Sequence, residues 1–166
     1  MSKVAKYVIT GPSSCGKTTV IDELKRQGYY TGMEAARIIL KRYPKEPDCI
    51  KQRKMIRLQH RIETVAQERS EAVFLDRGLG DMTAYSKYMG VELIDCEDDS
   101  IASYDKVFFL DGLPFKRDGI RWEKDQEQVD LLAQKVRTEY ERLGVPIVNV
   151  PAQTVDLRVD YILRNR

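Results

Sequence analysis

A lysine and a threonine directly after a glycine, with a second glycine five positions earlier, are residue types and a spacing that hold phosphate. Gly11-Pro12-Ser13-Ser14-Cys15-Gly16-Lys17-Thr18-Thr19 matches the Walker A pattern G-x-x-x-x-G-K-[ST] without a gap. The two glycines permit backbone conformations that a Cβ obstructs. The amides from Ser13 to Thr18 can then converge on one phosphate group, with a helix N-terminus behind them. In that arrangement Lys17 bridges the β- and γ-phosphates of a nucleotide and the Thr18 hydroxyl sits on Mg²⁺. Cys15 is either a redox-sensitive thiol beside Lys17 or a small side chain at a free position of the pattern, and the second reading is preferred.

Such a loop needs a further acid for the metal, usually at the end of an apolar strand. Ala72-Val73-Phe74-Leu75-Asp76 and Lys106-Val107-Phe108-Phe109-Leu110-Asp111 both end that way. Asp76, followed at once by Arg77, is preferred to Asp111. Arg77 and Asp81 stand four apart at the start of a helix, either as an intrahelical pair or as cleft-facing groups that position an acceptor. Glu34, one turn before Arg37, either takes a proton from an acceptor hydroxyl or caps its helix. Arg117 and Arg121 flank Gly119 in a segment rich in turn formers. They are expected on a lid over about 112–125 that brings positive charge to a transferring phosphoryl group. The lone His60 has no evident catalytic partner.

The elements that must position these groups follow from periodicity. Lys6 to Thr10 reads as a buried strand, and Val20, Ile21 and Leu24 recur at helical spacing up to Gln27, before the stop at Gly28. Tyr29-Tyr30-Thr31 is a short second strand. A helix begins at Glu34 and is interrupted between Pro44 and Pro47. The next helix places Met55, Leu58, Ile62, Val65 and Ala66 on one face, with Lys51, Arg53, Lys54, Arg57 and Arg61 largely off it. A helix runs from about Leu79 to Tyr88, a long one carries Val129, Leu132, Val136 and Tyr140, Pro146 to Val150 is a fifth strand, and Val155, Val159 and Ile162 mark a closing helix. Five apolar strands separated by helices predict an α/β fold, a parallel sheet with helices on both faces. Ligands of such sheets bind beyond the carboxyl ends of the strands.

The 166 residues, 42% hydrophobic and 33% charged, are expected to form one domain over 1–166. No run is long enough to cross a bilayer, and Met1-Ser2-Lys3 leads directly into the first strand. Three cysteines without metal-ligand spacing complete the case for a cytoplasmic setting with no membrane partner. Charge is uneven: Glu34 to Ile62 carries nine Lys/Arg against three acids. Some of Arg37, Lys41, Arg53, Lys54 and Arg57 are expected to face the cleft, which predicts an acceptor that carries phosphate over a neutral one; the alternative is that these charges only solvate two surface helices.

In order along the chain, several segments resemble the predicted ATPase/kinase family of small P-loop proteins related to ribosylnicotinamide kinases. More distantly they are similar to thymidylate-kinase-like nucleoside and nucleotide kinases. The matching segments are Ile9 through Thr19, Glu34-Ala35-Ala36-Arg37, Asp76-Arg77-Gly78 with Asp81 and Tyr85, Tyr104 to Phe108, Asp118-Gly119-Ile120-Arg121, and Val150-Pro151 with Arg158. The resemblance implies a three-layer P-loop NTPase fold of strand order 2-3-1-4-5, an arginine-bearing lid and a base-binding loop near Pro151 to Thr154.

These residues predict an enzyme that uses ATP, or another nucleoside triphosphate, with Mg²⁺ to phosphorylate a small molecule such as a nucleoside, a nucleotide or a related metabolite. Lys17, Glu34, Asp76, Arg117 and Arg121 would be catalytic. Residues Gly11 to Thr19 would bind the cofactor, Thr18 and Asp76 the metal, and Glu34, Arg37, Arg77 and Asp81 the acceptor. The alternative is an NTPase that switches affinity for a protein or nucleic-acid partner. The basic helix from Lys51 to Arg61 lacks the aromatic residues that base stacking uses, which weighs against nucleic acid.

Overall fold

Each of the three central strands points alternate side chains to opposite faces, and both faces are covered. In the computed structural model, which describes residues 4–67, 71–92, 103–114 and 123–166, β1 (Ala5–Thr10), β3 (Ala72–Asp76) and β4 (Lys106–Leu110) form the middle of a parallel sheet. The edges are β2 (Tyr30–Thr31) and β5 (Ile147–Val150), and the order is β2-β3-β1-β4-β5. The strand order expected from the resemblance is the one found.

On one face Ile9, Phe74, Phe108, Leu110 and Val150 pack against Val20, Ile21 and Leu24 of α1 (Lys17–Arg26) and Val159 and Ile162 of α6 (Val155–Arg164). On the other, Val8, Val73, Leu75, Val107 and Phe109 meet side chains of α3 (Asp48–Gln67), α4 (Leu79–Tyr88) and α5 (Gln126–Arg142). Burying each such aliphatic or aromatic side chain stabilises the fold by roughly 1.5–3 kcal/mol. Between the layers, α2 (Ala35–Arg42) joins α3 and α4 over a smaller cluster of Ile39, Met55, Ile56 and Met82.

Register sets the site. Ile9 pairs with Asp76 and Thr10 with Phe109, so the loop after β1 and the acid ending β3 leave the sheet together. Close packing then demands small residues. A Cβ on Gly80 would lie about 2.7 Å from the Tyr140 ring, so only glycine lets α4 settle on that tyrosine.

Three boundaries differ from the sequence reading. Tyr29 lies outside the two-residue β2, Glu34 precedes α2 rather than opening it, and Val65 is 40% exposed. The buried face of α3 is filled instead by Gln52, Met55, Ile56, Gln59, Ile62, Glu63 and Ala66, and its three polar members hide the stripe from a purely hydrophobic pattern. Among the described residues no helix is long and apolar enough to cross a membrane.

Candidate functional site

The loop between β1 and α1 is held by contacts on every side. Gly11 has φ 143°, and a Cβ there would lie 2.6 Å from the Leu110 carbonyl oxygen. Ser14 (φ 64°) and Gly16 (φ 85°) are also in positive-φ conformations, which folds the chain back between them. Lys17 is buried over the loop, its Nζ donating to the carbonyls of Gly11 (3.1 Å) and Pro12 (3.0 Å) and 3.5 Å from Cys15 Sγ. Cys15 itself is fully buried in the core, as a space-filling side chain is. Thr18 and Thr19 are exposed in the first turn of α1 and line a cleft of about 670 Å³.

Across that cleft, acids and arginines from three elements interlock. Asp76 ends β3 almost wholly buried, and its Oδ1 has no hydrogen-bond partner among the described residues. Burial, reinforced by the charge of Glu34, pushes the Asp76 carboxyl up to about 6 against the pull of Arg77 and Lys17. Arg77, in the left-handed region at φ 69°, donates from its Nη1 to Asp81 (2.8 Å), and its Nε lies 3.3 Å from Glu34 Oε1. Glu34 also meets Arg37 at 3.5 Å, and it occupies the N-cap position of α2 without a side-chain hydrogen bond to that helix.

Asp81 is fully buried and accepts four hydrogen bonds: from Thr10 Oγ1 and Tyr140 OH at 2.6 Å each, from Arg77, and from the Gly78 amide at 3.2 Å. It ties β1, α4 and α5 together behind the site. Arg77 and Asp81 therefore pair with each other, and both line the cleft.

A family profile described as an AAA domain matches residues 6–158, nearly the whole chain. The chain belongs to that AAA-domain family. No curated protein is detectably similar to it in sequence. Among solved structures, NadR in complex with NAD and AMP-PNP superposes with a TM-score of 0.73 at 18% identity, over 97% of this chain and 49% of that one. This AAA-domain chain thus spans about half the length of that relative. Deoxyadenosine kinase from M. mycoides, with dCMP and dCDP bound, matches with a TM-score of 0.67 at 19% identity, over 96% of this chain and 97% of that one. Thymidylate kinase from Candida albicans matches with a TM-score of 0.60 at 14% identity, over 98% and 91%. At these identities the shared property is the fold, which is that of P-loop kinases.

Within this AAA-domain chain, Gly16, Lys17, Thr18, Glu34, Arg37, Arg77 and Asp81 come together around one cleft. Asp76 lies beneath it, close enough to feel the charges of Lys17, Glu34 and Arg77. The rival acid, Asp111, is exposed. The lid arginines Arg117 and Arg121 lie outside the described residues, as do residues 115–122 of the expected lid. Of the five cations expected at the acceptor side, Arg37 lines the cleft and Lys41, Arg53, Lys54 and Arg57 do not. Lys54 instead pairs with Glu46 and covers the Tyr43 ring, while Arg53 and Arg57 are exposed. Helix α3 turns their side of its surface away, because Gln52, Met55 and Gln59 occupy the inner one. Lys51 does reach the cleft, paired with Asp48 at 2.8 Å.

Sequence reasoning missed Glu123. It is buried and accepts hydrogen bonds from Ser13 Oγ in the phosphate loop (2.6 Å) and from Tyr85 OH in α4. Burial pushes its carboxyl up, but those two hydroxyls and the Arg77 charge outweigh it and hold the group below its usual range. It is 110 positions from Ser13 and belongs to no motif, so no local signal marks it.

Proposed function

We propose that this chain is an ATP- and Mg²⁺-dependent phosphotransferase acting on a small-molecule acceptor. The observation that carries the reading is Asp76: a buried carboxylate with one oxygen unpartnered among the described residues, set by strand register beside a phosphate loop and under the charges of Lys17 and Glu34. An oxygen left unpaired at that cost calls for a cation. Mg²⁺ fits the donor set, since it binds through one or two protein groups together with phosphate oxygens, and Asp76 and Thr18 would be those groups. When bound, the metal neutralises charge on the phosphates.

The chain's own residues supply the rest. The amides of the loop hold the phosphates and Lys17, once it leaves the Gly11 and Pro12 carbonyls, follows the transferring group. Glu34 lines the cleft where an acceptor hydroxyl would lie, oriented by Arg77 and Arg37, and receives its proton. Behind it, Leu40, Met55, Met82 and Met89 make an apolar floor, and the Gln52 amide donates to Met89 Sδ at 3.4 Å. Such a floor takes a flat or apolar body. Lining cations on that side are each paired with an acid, Arg37 with Glu34 and Lys51 with Asp48. An uncharged acceptor of the nucleoside kind fits this balance better than a phosphate-bearing one.

A thermal-shift panel of nucleosides, nucleotides and phosphorylated metabolites, with and without a non-hydrolysable ATP analogue and Mg²⁺, tests the reading. The analogue should raise the melting temperature and an uncharged nucleoside should raise it further. No shift from the analogue in wild type would remove the basis of the proposal.

A further inference from the structure

Arg158, in the first turn of α6, is 3% exposed, and among the described residues it has no carboxylate partner. Its guanidinium donates instead to three backbone carbonyls from three separate segments. Nε reaches Pro151 O at 3.0 Å, Nη1 reaches Cys15 O at 2.5 Å, and Nη2 reaches Asp111 O at 3.4 Å. Those carbonyls belong to the segment after β5, the phosphate loop and the residue after β4. One buried side chain thus fastens three loop ends at the carboxyl edge of the sheet.

The bond to Cys15 has a geometric consequence. Among the described residues no peptide bond is cis, and in a trans peptide the carbonyl and the following N–H point in opposite directions. With the Cys15 carbonyl held on the buried guanidinium, the Gly16 N–H is aimed away from it. Gly16 lines the cleft, and a Cβ on Gly16 would lie 3.4 Å from Arg158 Nη1, so the guanidinium sits directly behind that peptide. The amide is therefore turned toward the hollow in which successive N–H groups gather an anion.

We infer that Arg158 is a positioning residue of the phosphate site, fixing the Cys15–Gly16 peptide so that its amide faces the bound phosphate. The inference rests on the nucleotide-binding reading above. Among the described residues no carboxylate offsets the Arg158 charge, and a cation buried behind the loop adds to the field on a bound anion. A lysine carries the same charge but not the planar fork that spans three acceptors.

Isothermal titration of inorganic tripolyphosphate and of Mg-ATP into wild type, Lys17→Ala, Arg158→Met and Arg158→Lys tests this. With the Cys15–Gly16 peptide no longer fixed, Arg158→Met should bind both ligands roughly tenfold or more weakly, the loss expected when one amide no longer faces the anion. Arg158→Lys should recover part of that loss. A side chain that merely stabilised the fold would lower the melting temperature and the fraction of protein that binds, and leave the affinity of the folded fraction unchanged. Wild-type affinity in Arg158→Met overturns the inference. Should that variant not fold, wild-type affinity in Arg158→Lys overturns it equally. If wild type ignores tripolyphosphate, or Lys17→Ala binds it as well as wild type does, the nucleotide-binding reading itself fails and the inference falls with it.

Discussion

Asp76→Asn should make the ligand-free protein more stable while removing its activity. The carboxyl is 7% exposed, and burial, with Glu34 adding repulsion, raises it from 3.8 to about 6. Between those values the folded chain holds a proton that the unfolded chain has released, so stability falls as pH rises through that window, and the penalty is complete above it. At about 1.4 kcal/mol per pKa unit, a rise of roughly two units amounts to about 3 kcal/mol held against the folded state at pH 8. Asparagine keeps an unpaired polar atom, so the gain realised should be about 1–3 kcal/mol, a rise in melting temperature of roughly 3–10 °C at this chain length. Circular-dichroism melts of both proteins at pH 4 and pH 8, without nucleotide, measure it. The difference should appear at pH 8 and vanish at pH 4. A gain of the same size at both values, or none at pH 8, would refute the reasoning that the buried charge is the cause.

Lys17→Ala should abolish nucleotide-dependent turnover while the chain stays folded, since among the described residues the side chain is bonded only to its own loop and not to the strands or helices of the core; retained turnover in the folded variant would contradict the site. Glu34→Gln should lower kcat by about 100-fold or more with a smaller change in acceptor KM, as loss of a proton acceptor does, and an unchanged kcat would return Glu34 to an orienting role only. Asp81→Asn should destabilise the chain by about 3 kcal/mol in chemical denaturation, because it breaks the buried pair with Arg77 and leaves a donor among Thr10, Tyr140 and Gly78 unmatched. A loss under about 1 kcal/mol would show that the hub matters less than its geometry suggests. The KM of the best acceptor found, charged or uncharged, should be indifferent to salt between low and high ionic strength; a steep rise with salt would point back to an anionic acceptor.

What the sequence made legible was local or periodic. The phosphate loop is nine consecutive residues, and β3 and β4 are unbroken apolar runs, so their existence and their terminal acids could be read directly. Asp76 could be preferred to Asp111 by the Arg77 that follows it, but its burial follows from the register that sets it opposite Ile9. The helix α3 and most of its inward face were legible, since Met55, Ile62 and Ala66 are buried and Leu58 packs beside them; what the apolar pattern did not show is that Gln52, Gln59 and Glu63 share that face, held by hydrogen bonds to one another and to Arg77, Ser86 and Tyr104. The contacts that shape the site span long separations: Glu34 with Arg77, Thr10 with Asp81, Ser13 with Glu123 and Cys15 with Arg158 are 43, 71, 110 and 143 positions apart. No periodicity connects such pairs, and only the assembled sheet and its helices bring them together.

The central claim is phosphoryl transfer, and following the γ-phosphate tests it most directly. The chain is incubated with ATP labelled in its γ-phosphate, Mg²⁺ and a panel of uncharged nucleosides, and the labelled products are separated. The account predicts label on one acceptor, ADP formed in equal amount, and neither product with Lys17→Ala. Label released only as inorganic phosphate, at a rate indifferent to every acceptor, would contradict it and leave a nucleoside triphosphatase in its place.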